Sequence, residues 1–217
     1  MQLAATWVMG TPPPALEREP VQADERDALT ALVARVREGD PTAFERLYHA
    51  TRDDVYAVLF KLLGPSPELD DLFQEAWIQL IGAIRRFRGE SRFSTFAWRV
   101  CANVALKHLR TRRRRPEDLV NELPELPAVS GTPHDLAQAK ESAALVHAAL
   151  ELLSPKKRVV FVYAELMEMR LEEIAQAVDA PLNTVRSRLL NARAEFPRAL
   201  AEVQRLHRSR RPVHGGA

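Results

Sequence analysis

Residues 171–196 read LEEIAQAVDAPLNTVRSRLLNARAEF, and the fold of the chain is decided there. Leu171, Ile174, Ala175 and Val178 recur at the spacing that lines one face of a short amphipathic helix. Asp179 follows where a tight turn needs a residue tolerant of positive φ, and after Gly the least strained choices are Asp and Asn. Pro181 stops the first helix, and Asn183 or Thr184 is placed to cap a second. In that second helix Val185, Leu189, Ala192 and Phe196 form the inward stripe, which leaves Arg186, Ser187, Asn191 and Arg193 facing out. Two short helices joined by a tight turn, the second opening with Arg and Ser, follow the pattern of a DNA-reading helix-turn-helix. A plain helical hairpin with a solvated basic face shares that pattern, so the rest of the chain must decide.

A chain of 217 residues allows one or two domains, and 46% apolar residues suffice for a packed core. The low aromatic share and abundant Ala and Leu favour helices. A formal charge of +2 hides segregation: residues 107–115 read KHLRTRRRR, whereas residues 117–135 hold Glu117, Asp118, Glu122, Glu125 and Asp135 with no Lys or Arg. The single cysteine, Cys101, excludes an internal disulfide and a multi-Cys zinc site, and its apolar surroundings predict a buried thiol. No apolar run reaches the length of a membrane span, and the start of the chain lacks the order of a signal peptide, so a cytoplasmic protein without membrane insertion is expected.

Residues 1–25 carry Pro12, Pro13, Pro14 and Pro20 with little periodicity and read as a mobile extension, with Trp7, Val8 and Met9 able to dock. Leu29, Leu32, Val33 and Val36 make a helix ending at Gly39, and Asp40-Pro41 supplies N-cap and first position of the next. Phe44, Leu47, Tyr48, Val55, Leu59 and Leu62 form its inner face, closed by residues 64–67, GPSP. Leu72, Ala76, Leu80, Ala83 and Phe87 mark a third helix, and Phe96, Val100, Val104 and Leu109 a fourth running from Phe93 to Arg115. Residues 116–138 form an acidic, proline-rich linker. Periodicity returns from Lys140, Ser154-Pro155 starts a further helix, and residues 207–217 read as a basic tail. The expected fold is all-α, with one helical domain over 26–115 and a second over 139–206.

Residues 87–115 mix Phe93, Phe96 and Trp98 with many Arg residues and the small polar Ser94, Thr95 and Asn103. Such mixtures bind single-stranded nucleic acid, since apolar walls accept an unstacked base while cations follow the phosphates. Phe96 itself reads as core. Glu68, Asp70, Asp71 and Glu75 cluster at a helix start, but no second acidic motif faces them, so no metal site is expected. Such a cluster suits a basic partner surface better. No phosphate-cradling Gly loop or nucleophile elbow appears, and neither an enzyme nor a cofactor is expected.

The order of these pieces resembles a bacterial sigma factor of the sigma-70 family, in its extracytoplasmic-function group. GDPTAFERLY (39–48), DDLFQEAWIQL (70–80) and FRGESRFSTFAWRVCANVALKHLR (87–110) resemble sigma domain 2. LELLSPKKRVVFVYAEL (150–166) and EEIAQAVDAPLNTVRSRLLNAR (172–193) resemble domain 4. The resemblance implies binding to core RNA polymerase and to promoter DNA, double-stranded at minus-thirty-five and single-stranded at minus-ten. It implies core-polymerase contacts by Asp70, Asp71, Gln74 and Glu75. It implies minus-ten contacts by Phe93, Ser94, Thr95, Trp98 and Asn103 around an extruded base, with Arg99, Lys107, Arg110 and Arg112 on phosphates. It implies minus-thirty-five base reading by Arg186, Ser187 and Asn191, with Arg188 and Arg193 on phosphates, and an anti-sigma factor as a further partner. The chain departs from the common pattern at Asp179, Asn183 and Leu190-Asn191, and the last pair sets its minus-thirty-five preference apart. A free-standing helix-turn-helix regulator is the alternative.

Overall fold

The computed structural model describes residues 23–87, 89, 91–114 and 133–210, and every regular element among them is helical. Helices α1 (Ala23–Arg37), α2 (Pro41–Leu63), α3 (Leu69–Ile84) and α4 (Phe93–Arg114) make the first bundle. The second holds α5 (Pro133–Leu152), α6 (Pro155–Phe161) with a π-helical turn at Val162–Leu166, α7 (Leu171–Ala177) and α8 (Leu182–Arg210). The expected extension before Ala23 and most of the acidic linker lie outside the described residues.

Local chemistry sets the helix ends of the first bundle. Asp40 caps α2: one carboxylate oxygen accepts the amides of Thr42 at 2.9 Å and Ala43 at 3.1 Å, and the other accepts the Arg35 guanidinium. The Ala43 amide, with Arg35 beside it, holds the Asp40 carboxyl below its ordinary value. Gly64 closes α2 at φ 75° and ψ −174°, a backbone that essentially only glycine adopts, and donates its amide to the Phe60 carbonyl. Leu47, Leu59, Leu62 and Leu80 are fully buried between these helices, and Trp77 packs its ring edge-on against Tyr48 at 4.8 Å. Cys101 is buried as expected, and burial pushes its thiol up to about 12, which leaves it unreactive.

In the second bundle Val185, Leu189, Ala192 and Phe196 all point inward, and Phe196 stacks on Phe161 at 4.6 Å. Two boundaries differ from expectation. Helix α5 begins at Pro133 rather than near Lys140, and α8 continues through Arg210, past the expected start of the tail. Both extensions have one cause. The C-terminal half of α8 lies along α5, burying Ala199 and half-burying Leu200 and Val203, while His207 pairs with Glu141 at 2.8 Å. Tertiary packing sustains helix where the local pattern is weak.

The two bundles are packed together among the described residues. Helix α4 rests against α6 and α7. His147 of α5 meets α2, its ring 5.4 Å from that of Phe60, while Arg112 of α4 pairs with Glu151 at 3.1 Å and Arg113 donates to the Leu153 carbonyl. Burial, with Arg158 nearby, pushes the His147 imidazole down to about 4, and burial also lowers that of His108. Between the free value of 6.5 and about 4 the unfolded chain therefore binds the proton at His147 more readily than the folded one. Stability from His147 is complete above pH 6.5 and lost as pH falls toward 4. Denaturation followed across that range should show the loss, and His147→Gln should flatten it; an identical profile in the variant contradicts this assignment. Gly64→Ala should cost about 1–3 kcal/mol, because it forces alanine into the glycine-only backbone. Its Cβ would also stand 3.0 Å from the His147 ring. Equilibrium unfolding measures that cost.

Candidate nucleic-acid interface and polymerase-docking face

The helix-turn-helix comprises α7, the turn at Asp179 and the start of α8. Asp179 adopts φ 49°, the left-handed conformation its position required. The expected side-chain cap from Asn183 or Thr184 is not used; α8 starts ahead of both, at Leu182, and the Pro181 carbonyl accepts the amides of Thr184 at 2.9 Å and Val185 at 3.1 Å. Starting at Leu182 leaves Asn183 inside the first turn, where its side chain faces solvent. Arg186, Ser187, Asn191 and Arg193 are exposed along one side of α8. Ser187 donates back to the Thr184 carbonyl, and Arg193 is anchored on Glu165 at 2.7 Å. Arg188 is half-buried and turns toward α4. Leu190, where with Asn191 the chain departs from the family pattern, is 70% exposed.

On the first bundle, α3 and α4 flank a shallow groove of about 400 Å³ lined by Gln79, Arg86, Phe96, Arg99, Val100 and Asn103. Of the expected base-pocket residues Asn103 reaches it, beside Arg99, which was expected on phosphate. Phe93 and Thr95 do not: they are 5% and 3% exposed, and Phe93 packs in the core against Phe87 and Phe96. Phe93, expected at the base, is thus core, while Phe96 packs against the core as expected and also borders the groove. Phe93 falls on the inner side of α4, with Ala97 and Val100 following it inward, whereas Phe96 is only half-buried and presents its ring to the groove. Ser94 and Trp98 are half-buried. Lys107 pairs with Glu75 at 2.8 Å and Arg110 is exposed on α4 beyond it.

Helix α3 carries the acidic face. Asp70, Asp71 and Gln74 are exposed, while Glu75 is half-buried and tied to Lys107 and Gln79. Ile78 and Ile81 continue the line from Asp71 and Gln74, with Ile78 71% exposed. Acidic and apolar groups thus share one outward face, and the apolar half escaped the sequence reading. Among the described residues no three His, Cys, Asp or Glu side chains gather as metal ligands.

The second bundle covers part of the α4 face that carries Trp98 and Arg99. The buried Tyr163 donates its hydroxyl to the Trp98 carbonyl at 2.6 Å, Arg99 pairs with Asp179 at 3.0 Å, and Arg92 approaches Glu173 at 3.6 Å. Burial raises the Tyr163 phenol well above its ordinary value, so it stays a donor. Arg158 is 2% exposed in α6, and its Nε and Nη2 have no hydrogen-bond partner among the described residues. Burial lowers its guanidinium to about 10, still protonated at neutral pH.

Against this geometry, residues 47–115 match the family model described as Sigma-70 region 2, and residues 143–196 match Sigma-70, region 4. The chain belongs to the sigma-70 family. It is 30% identical over 182 residues to the RNA polymerase sigma-H factor of Pseudomonas aeruginosa, covering 80% of this chain and 94% of that protein. It is 33% identical over 170 residues to the ECF RNA polymerase sigma-E factor of Escherichia coli K12, covering 75% of this chain and 88% of that protein. These relatives place it in the extracytoplasmic-function group. Its fold resembles that of CnrH in complex with the cytosolic domain of CnrY, at a TM-score of 0.57 and 20% identity, over 81% of this chain and 98% of that one. In this sigma factor Tyr163→Phe should lower stability by about 0.5–1.5 kcal/mol through loss of the bond to Trp98. Denaturant midpoints with an unchanged slope measure it.

Proposed function

We propose that the chain acts as a sigma subunit that binds core RNA polymerase and directs it to promoters, where it helps melt DNA and start transcription. The observation that carries this reading is the pairing, on one chain, of a helix-turn-helix with an aromatic and cationic groove on a separate bundle. A repressor needs only the first. Sigma activity needs both, because it must read duplex at one element and hold an unpaired base at another. The role is one of binding, and no enzymatic step is assigned. The protein works in the cytoplasm, with its polymerase; among the described residues no helix is long and apolar enough to cross a membrane.

Each element then has a task. Arg186, Ser187 and Asn191 on α8 read base edges in the major groove, Leu190 offers an apolar contact, and Arg188 and Arg193 hold phosphates. The α3–α4 groove takes the extruded base, with Phe96 as its apolar wall and Arg99 and Asn103 as polar contacts. Flipping a base costs a few kcal/mol of unstacking, which a pre-formed groove offsets. Lys107, Arg110 and Arg112 follow the backbone, Lys107 and Arg112 exchanging their carboxylate partners for phosphate; exposed ion pairs of this kind hold by only about 0–1 kcal/mol. The acidic and apolar face of α3, from Asp70 to Ile81, docks on a basic surface of the polymerase. An anti-sigma factor covering these faces would hold the protein inactive.

In run-off transcription with core polymerase on a promoter library, synthesis should depend on adding this chain. Tight, specific binding of an operator by the chain alone, with no stimulation of polymerase, supports the free-standing regulator instead. Asp71→Arg and Ile78→Glu should each abolish core association while leaving the helical content unchanged. Arg186→Ala should cost about 1–3 kcal/mol in promoter affinity and relax one base position, whereas Arg110→Ala should weaken all sequences alike and reduce the salt slope by about one.

A further inference from the structure

We propose that the cleft between α4 and the helix-turn-helix is a binding site for linked phosphates, of the kind carried by inorganic pyrophosphate or a nucleoside polyphosphate. The cleft has a volume of about 280 Å³, and four cations line it: Lys107 and Arg110 from α4, Lys156 from α6 and Arg188 from α8. Asn103 adds an amide that can donate to a phosphate oxygen. Asp179 is the one carboxylate in the lining, and it is engaged by Arg99 at 3.0 Å. Lys107 has Glu75 at 2.8 Å, but Arg110, Lys156 and Arg188 have no carboxylate within ion-pair reach among the described residues.

Cations held together without counter-charges repel one another, and a multivalent anion converts that repulsion into attraction. A monovalent anion meets only part of the set. Two linked phosphates span cations on opposite walls. Because one wall belongs to each bundle, the site exists only while the bundles are packed, and its ligand clamps them in that arrangement. Lys107, Arg110 and Arg188 are also the residues assigned above to promoter phosphates, so ligand and promoter compete. That competition rests on the proposed function; the site itself does not.

The test is isothermal titration of the full-length chain with sodium pyrophosphate, without DNA or polymerase, so its outcome is independent of whether the chain supports transcription. Saturable binding is expected. Lys156→Glu lies outside the assigned DNA contacts and on an exposed position, and it should weaken binding roughly tenfold or more. Asp179→Asn keeps a residue that tolerates positive φ and removes the opposing charge, so it should tighten binding. ATP binding more tightly than pyrophosphate, with the same response to both variants, identifies a nucleotide ligand; pyrophosphate binding alone identifies an inorganic one. The proposal fails if wild type shows no saturation at millimolar pyrophosphate, or if neither variant changes the affinity. It also fails if Lys156→Glu affects only a single-stranded oligonucleotide, since the cleft would then belong to the DNA surface.

Discussion

Helix α4 is packed from two sides, and that constraint governs the rest of the molecule. Its inner face, with Phe93, Ala97, Val104 and Ala105, completes the core of the first bundle. Its outer face meets α6 and α7, where the Tyr163 hydroxyl reaches the Trp98 carbonyl. The residues between, Arg99, Asn103 and Lys107, are the ones assigned to DNA. One helix therefore provides core, seam and the proposed nucleic-acid surface. The small side chains Ala102 and Ala105 allow this by letting neighbours approach without leaving voids.

The chemistry of the seam is polar at its rim and apolar within. Ion pairs such as Arg99–Asp179 are exposed and contribute little energy, although they fix register. Beneath them lie Val159, Val160 and Tyr163, fully buried. Arg158 is the exception, a buried cation with two nitrogens unpaired among the described residues, beside His147 and the Arg112–Glu151 pair. A cation so placed is costly to hold without partners, which makes this side of the seam the place where added positive charge is least tolerated.

Much of this was legible in the sequence because local rules and global fold agreed. The Asp40-Pro41 cap, the glycine at 64, the left-handed Asp179 and the inward stripe of α8 each follow from backbone chemistry within a few residues. The outward placement of Arg186, Ser187, Asn191 and Arg193 on α8 was legible for the same reason. What escaped depends on contacts distant in sequence. Whether Phe93 or Phe96 faces the core depends on Phe87 and on the neighbouring helix, which the periodicity of α4 alone does not specify. Exposed Ile78 and Ile81 lay off the helical stripe of α3, a signal that was present and passed over. The packing of one bundle on the other involves residues some 65 positions apart, as in Tyr163 and Trp98, and no short-range pattern announces it.

The most direct test of this account is whether α4 and the helix-turn-helix touch in solution. Arg99 and Asp179, paired at 3.0 Å, can be replaced by cysteines, and the native Cys101 is too buried to interfere. A short bifunctional thiol reagent at low protein concentration should then join the two sites within one chain rapidly, and the product should remain monomeric. Failure of intramolecular crosslinking in a folded, fully reactive double-cysteine chain would contradict the packed arrangement.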